Sequence, residues 1–423
     1  MTRKCPFDPA TFNAHFDHHR PEFGTNREVI FDDLRARCPV ARSDEWGGYV
    51  VLTRYEDVVA AARDDATFSS EPGITLPGLP STELLRLPIS IDPPQSFKYR
   101  NILMRYFRAS WLKALEPWVD AFVAELIDKF IEEGRADIQT DLSHPLTAGF
   151  IMHVTGLPRE QWWEYSIPVI AGIGRQIGDE TRMISRADTS RMLSEEIERQ
   201  RKSPRYSADE KVLPYLLQVE IDGRKLTHEE VQAIMELLLD GGFDTTMALI
   251  GNSVLHLHHH PDKRQELIDN PGLIGAAVEE YLRWVTPQQG LFRTATRDTE
   301  IGGAQIGKGE KVFLAWAAAN HDPEAFPDPH EVKFDRPNNR HVAFGVGAHL
   351  CLGLNVARVE MRASLRQILQ RIADYSVIET GIVRPQGLGI VNGLEHLPIT
   401  FTPGIRTGVR ADDAIASVEH DGR

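Results

Sequence analysis

Along most of the chain the apolar positions recur every three to four residues. That period dominates from about residue 95 to 285. Leu112, Leu115, Val119, Phe122, Val123, Leu126, Ile127 and Phe130 repeat at helical spacing, with Glu, Asp and Lys between them. Thr227 with Glu230 three residues later forms a capping box, which opens a helix expected to run to about residue 260. Its centre, Leu237 to Ile250, is apolar on nearly every side, so burial is expected. Two regions break the period. Gly47-Gly48 followed by Tyr49-Val50-Val51-Leu52-Thr53 reads as a hairpin strand, with a short helix over 55–65. Later, Gly302, Gly303, Gly307 and Gly309 punctuate β-prone runs at 299–301 and 311–316, and 354–373 is helical again. The Pro-, Gly- and Ser-rich stretch 69–91 reads as a long loop, a feature that is often functional in a compact domain. The expected fold is mainly α with small antiparallel β-sheets, as one domain over 1–403. Residues 404–423, poor in apolar side chains, are expected to form a disordered tail.

Composition narrows the function by exclusion. The chain has 423 residues and a net charge of −14, without a basic stretch able to neutralise a run of phosphates, so nucleic acid is not an expected partner. Cys5, Cys38 and Cys351 lie far apart without a CxxC pair, which argues against a disulfide framework and for a reducing, cytoplasmic setting. The amino terminus lacks the apolar core of a secretory signal, and no stretch approaches the ~20 apolar residues of a membrane span. A soluble monomer is expected. His256-Leu257-His258-His259-His260 is read as a solvated helix end rather than a metal site, since consecutive helical residues diverge and no carboxylate stands at ligand spacing.

Two segments carry chemistry. In Phe344-Gly345-Val346-Gly347-Ala348-His349-Leu350-Cys351-Leu352-Gly353, three glycines allow a tight turn around one cysteine, and a helix is expected to start at about Leu352. A helix N-terminus favours thiolate over thiol, and a thiolate ligand pushes electron density onto a haem iron. A buried structural cysteine in a glycine-rich turn is the alternative. In Gly241-Gly242-Phe243-Asp244-Thr245-Thr246, poor helix formers stand mid-helix, where each Gly costs about 1 kcal/mol relative to Ala. Leu237, Gly241, Asp244, Thr245 and Ala248 fall on one narrow helical face. An acid and an alcohol there suit proton delivery through water. The alternative is a Gly-Gly helix contact with Asp244 in a buried ion pair.

The first segment resembles the haem-binding motif FGxGxHxCxG of the cytochrome P-450 family at every fixed position, and the second resembles that family's (A/G)GxDTT motif. Glu280 and Arg283 match its ExxR, and Ala317 to Pro323 resembles its AAN-x-DP segment. The resemblance implies a haem b cofactor between the long oxygen-activating helix and the cysteine loop, with Cys351 as the iron ligand beside Phe344 and Gly345. It implies Thr245 as the oxygen-side alcohol, Asp244 as the proton-relay acid, and Arg100, Arg293 and His349 as propionate partners. Glu280 and Arg283 would form a structural network with Arg336 or Arg340. Two positions depart from the pattern. Ser96 stands where a His is usual, and Asp240 precedes the first glycine where an apolar residue is usual; an unpaired carboxylate in an apolar pocket is costly, so Asp240 is expected to turn away towards a covering helix.

The implied activity is insertion of one atom of dioxygen into a C–H or C=C bond of a small apolar substrate. A peroxide-driven peroxygenase and a non-catalytic haem sensor or carrier are the rival readings. Electrons would come from a ferredoxin and a ferredoxin reductase, docking through Arg105, Arg108, Arg340 and Arg358. The expected substrate pocket comprises Ile74, Leu76, Leu79, Leu237, Asp240, Gly241, Ala248, Val285, Leu291 and Val391, an overwhelmingly aliphatic set.

Overall fold

The structure is a computed structural model that describes residues 12–13, 15–76, 86–174, 181–385 and 390–414. The chain opens with helix α1 (Pro21–Arg37), strands β1 (Val40–Ser43) and β2 (Tyr49–Leu52), helix α2 (Tyr55–Arg63) and strand β3 (Phe68–Ser69). The strand and short helix expected here are present. Helices α3 (Gln95–Phe107) and α4 (Ala109–Asp128) follow, then β4 (Arg135–Asp137) and helices α5 (His144–Thr155), α6 (Trp162–Gly174), α7 (Thr181–Lys202) and α8 (Val212–Leu216). After the small hairpin β5 (Glu220–Ile221) and β6 (Arg224–Lys225) come helices α9 (His228–Phe243), α10 (Thr245–His259), α11 (Pro261–Asp269) and α12 (Ile274–Val285).

The second β region comprises β7 (Leu291–Ala295), β8 (Thr299–Ile301), β9 (Ala304–Ile306) and β10 (Lys311–Leu314), followed by helices α13 (Trp316–Asn320) and α14 (Leu354–Arg371) and strands β11 (Ser376–Val377) and β12 (Pro398–Thr400). The largest sheet has the order β1-β2-β10-β7-β3 and so joins the two β regions. Its pairings are antiparallel except one: β10 runs parallel to β2, with Lys311 opposite Tyr49. That exception follows from topology, because the whole helical body lies between these two strands in the chain.

The dominant core packs α3, α4, α5, α9, α10, α12 and α14 around Trp118, Phe122, Phe150, Phe243, Tyr281 and Leu365. The sheet keeps smaller clusters of its own, one around Phe16, Phe31, Phe292 and Phe313. Among the described residues, no helix is long and apolar enough to cross a membrane.

Two expectations need correction. The helix opened by Thr227 does not run unbroken. Its capping box is formed, but α9 ends at Phe243 and α10 starts at Thr245, with Asp244 at φ −104° between them. The tail is also more ordered than its composition suggests. Asp128 accepts from the Thr407 and Gly408 amides, Arg159 pairs with Asp412, and Ala411 is fully buried. Polar anchors hold residues 404–414 where apolar ones are scarce. Residues 415–423 lie outside the described residues.

Candidate functional site

A cavity of about 280 Å³ lies between the α9–α10 junction and the loop before α14. Its floor is the cysteine turn. Gly345 (φ +66°) and Gly347 (φ +78°) adopt the left-handed conformation that glycine tolerates. A Cβ on Gly347 would stand 2.5 Å from the carbonyl oxygen of Ala62 in α2, so this turn can close only on glycine. The Cys351 amide donates to Phe344 O at 2.9 Å, which ties the two ends of the turn together. Cys351, Phe344, Gly345 and His349 all line the cavity. Burial pushes the Cys351 thiol up from its ordinary value, against the pull of the Gly353 amide, Arg100 and Arg358. A coordinated metal ion would favour the thiolate, because it deprotonates a bound thiol outright.

Beneath the turn, the motif residues form one buried network. Arg283 and Glu280 are both fully buried, and Arg283 donates twice to the carboxylate, at 3.0 and 2.7 Å. Arg336 adds contacts at 2.9 and 3.0 Å, and the Lys333 amide and Asn339 complete the set. Arg336 is thus the third member; Arg340 lies over the Tyr55 ring instead. Asn320 links the network to the turn, since its side chain donates to Thr286 and accepts from the Val342 amide at 2.7 Å. Asp322 accepts from the Tyr55 amide at the start of α2.

Three cationic or donor side chains meet on the wall: Arg100, Arg293 and His349. Burial draws Arg293 down to about 10, with Asp92 opposing. His349 is pushed down to about 4 by burial first, then by Arg293 and Arg100. Arg100 is drawn down by burial while Cys351 pulls the other way. Cationic and donor groups brought together in this way call for anions in the space they share. Ser96 also lines the cavity, 2% exposed, and its hydroxyl has no hydrogen-bond partner among the described residues. A sulfur ligand on the floor, guanidiniums at the side and an unsatisfied hydroxyl fit a flat cofactor that carries carboxylates.

The roof is the helix junction. Thr245 Oγ1 donates to Gly241 O at 3.0 Å and Thr147 Oγ1 to Phe243 O at 2.8 Å, so two threonines hold carbonyls beside the break. The glycines serve different ends. A Cβ on Gly241 would meet nothing within 4 Å, whereas one on Gly242 would stand 3.1 Å from Ile151 of α5. The wall itself comprises Leu237, Leu238, Gly241, Gly242, Thr245 and Thr246. Asp244 is 5% exposed and Ala248 fully buried, and neither reaches this wall. The face that meets the cavity is centred nearer Thr245 and Thr246 than expected.

Asp240 turns to an arginine that sequence reasoning did not single out. Arg86 Nε donates to Asp240 at 2.7 Å, and its Nη1 bonds Glu236. Ser190 of α7 and Gln232 donate to the same Glu236 carboxylate. One partner of Asp240 is therefore in the loop before α3.

Of the other expected pocket residues, Leu237, Gly241 and Leu291 line the cavity, together with Ile89 and Pro287. Leu76 packs in the sheet-side cluster, Val285 in the main core, and Val391 in a separate cavity. Ile74 is not on the wall; its carbonyl accepts from the Phe292 amide of β7. Leu79 lies outside the described residues. Glu360 was missed. It is 1% exposed on the cavity wall, and burial pushes its carboxyl well up against the pull of the Thr246 hydroxyl. The available signal was an acid on the apolar face of α14, beside Val356, Val359 and Ala363.

The histidine run is only partly a solvated end. His256 is buried beside Tyr281, and Glu379 does approach His258 and His259, all three offering ligand atoms within 4.8 Å of one another. His258 Nδ1, however, accepts the Val377 amide at 3.3 Å, which leaves its proton on Nε2, facing Glu379. In that tautomer the ring is neutral and turns its N–H towards Glu379.

The family model described as Cytochrome P450 matches residues 158–373. Cytochrome P450 130 of Mycobacterium tuberculosis is 34% identical over 347 residues, 79% of this chain and 84% of the relative. A steroid C26-monooxygenase of Mycolicibacterium smegmatis is 30% identical, over 88% of this chain and 91% of that one. Among solved structures, cytochrome P450 CYP109Q5 from Chondromyces apiculatus superposes with a TM-score of 0.81 at 28% identity, covering 93% of this chain and 99% of that one.

Proposed function

The chain belongs to the cytochrome P450 family, and from that premise we propose that Cys351 and Thr245 are the floor and roof of its oxygen-activating site. As a member it is a haem-thiolate monooxygenase with haem b as cofactor, and it needs dioxygen and redox partners. The observation that carries the assignment is the single cavity that both residues line, with the guanidiniums of Arg100 and Arg293 at its side.

When bound, a thiolate-held haem supplies the iron that activates dioxygen. Cys351 would hold it through the iron, and Arg100, Arg293 and His349 would bind its carboxylates, with the Ser96 hydroxyl as a neutral partner in place of a charged one. Thr245 Oγ1 holds its proton on the Gly241 carbonyl, and rotation about χ1 turns that donor into the cavity. Asp244, buried next to it in the chain, acts as the acid behind this hydroxyl. Gly241 leaves space for the oxygen molecule and the substrate.

The substrate is a neutral apolar molecule, a reading supported by Ile89, Leu237, Pro287 and Leu291 on the wall and by the pairing of the nearby charges of Arg86, Glu236 and Asp240 with one another. The steroid named for one relative is a member of that class. Electrons come from a ferredoxin with its reductase. Of the four arginines expected to dock it, Arg105 is turned to Asp209 and Arg358 to Glu279, which leaves Arg108 and Arg340 as the stronger candidates.

The test is reconstitution with ferredoxin, reductase, reduced nicotinamide and a panel of terpenoids, steroids, fatty acids and aromatics. The expected results are a low-to-high-spin shift with apolar compounds and incorporation of label from isotopic dioxygen. Cys351→His should lose the red-shifted ferrous–CO band. A retained band, or a spin shift with charged compounds alone, would overturn the corresponding part.

A further inference from the structure

Behind the wall of the main cavity lies a second one, of about 140 Å³, lined by the first two turns of α1 (Pro21, Phe23, Gly24, Thr25, Arg27) and by Gln289, Arg384, Pro385 and residues 391–393. Its chemistry differs from that of the first, because two guanidiniums face one small space. Arg27 spends one nitrogen on Asn392 Oδ1 and approaches Glu28 only at 3.9 Å, a carboxylate that also stands 3.9 Å from His330. Arg384 makes contacts only at the outer limit of hydrogen bonding, 3.4–3.5 Å to Asn252 Oδ1 and the Gly393 carbonyl. Each guanidinium has five N–H donors, so most of them remain uncommitted among the described residues. Burial draws Arg27 down to about 10, with Glu28 opposing and Arg384 adding to the effect. The stretch between Pro385 and Ile390, Gln-Gly-Leu-Gly, brings no carboxylate. Gln289, 1% exposed, keeps its Oε1 without a hydrogen-bond partner among the described residues.

Two partly buried like charges with one distant carboxylate between them are under-compensated, and an anion held bidentately by arginine is the natural complement. We propose that this cavity is a second ligand site, which takes a small oxyanion of the phosphate type between Arg27 and Arg384. Its volume is half that of the main cavity and below the roughly 300–1,000 Å³ usual for drug-sized ligands, which restricts the occupant to a small ion or the head of a larger molecule. A protonated oxyanion also offers a donor of the kind that Gln289 Oε1 lacks.

The site goes beyond the oxygen chemistry but touches its wall. Val391 bridges to Gln288, the Gln289 amide donates to Ile390 O at 2.7 Å, and the Asn392 amide donates to Pro287 O at 2.8 Å. Pro287 and Gln288 line the main cavity. An anion that fixes Arg27, and through it Asn392, braces this partition from behind.

The experiment uses the holoenzyme in chloride buffer, titrated calorimetrically with inorganic phosphate at constant ionic strength. Wild type should show saturable binding, and Arg27→Gln and Arg384→Gln should each weaken it at least tenfold. Gly393→Asp places a carboxylate in the cavity, where a Cβ meets nothing within 4 Å. This variant should melt higher than wild type in chloride and lose the phosphate heat. The proposal is overturned if wild type shows no saturable heat, if the double arginine variant binds as wild type does, or if Gly393→Asp melts lower. Glycerol phosphate and free phosphate with equal affinity would mark a site for the headgroup alone. None of these readouts depends on turnover, so a failure here leaves the oxygen-site assignment standing.

Discussion

The floor and the roof of the main cavity are built on opposite plans. The floor is closed by local constraints: left-handed glycines, a cysteine turn tied end to end, and a fully buried Arg283–Glu280 pair joined by Arg336. The roof is assembled from distant pieces. The α9–α10 junction is held by threonines on two helices, and the loop at Arg86 is fastened to Glu236 and Asp240 some 150 residues away. The difference teaches where specificity resides. A rigid floor fixes a cofactor that every member of the family shares, while a roof fastened by a few polar contacts can be re-cut for another substrate without disturbing it.

The contrast can be broken most severely from the floor. Arg283→Lys removes the bidentate fork and leaves Glu280 buried with fewer donors, a loss of about 3–5 kcal/mol. Cofactor retention and chemical denaturation check this, and a stable, haem-loaded Arg283→Lys protein would make the floor no more rigid than the roof. Next comes Thr245→Ala. Its hydroxyl is worth about 1 kcal/mol to the helix at most, so the fold should survive. Product should instead fall severalfold while reducing equivalents appear as hydrogen peroxide, measured as product formed per nicotinamide consumed. Unchanged coupling would sink the proton role.

The same contrast explains what was legible in the sequence. Cys351, Phe344, Gly345, His349, Glu280 and Arg283 were readable because short segments with obligatory residue types carry their own geometry. The pocket was not. Ile74, Leu76, Ala248, Val285 and Val391 are apolar, as a pocket residue should be, but apolar character cannot tell a cavity wall from a packed core. The break at Asp244 was also invisible as a break, since poor helix formers in mid-helix did not show that Thr147 would take a carbonyl there. Arg86 was hidden because its partners lie far along the chain.

Arg86 supplies the third test, aimed at the roof. Arg86→Gln leaves Glu236 with Ser190 and Gln232 but weakens the tie of the loop, at a cost of about 1–3 kcal/mol. Substrate should enter and leave faster, seen as severalfold larger rate constants in stopped-flow spin-state traces. Asp240→Val should do the same more weakly, because Arg86 keeps Glu236. Unchanged rates in both variants would reduce the Arg86 contacts to ordinary packing.

The finest test compares two neighbouring residues of one type. Replacing either Gly241 or Gly242 by Ala should gain up to about 1 kcal/mol of helix propensity. At Gly241 the new methyl meets nothing, so stability should rise while the methyl projects into the cavity and weakens binding of the bulkier apolar ligands. At Gly242 the methyl presses on Ile151 at 3.1 Å, so the gain should be cancelled while ligand preference stays as in wild type. Denaturation curves and spin-shift titrations on the two variants read the two effects separately. If Gly242→Ala altered ligand preference and Gly241→Ala did not, the reading that a methyl at Gly241 enters open space while one at Gly242 packs on Ile151 would have to be reversed.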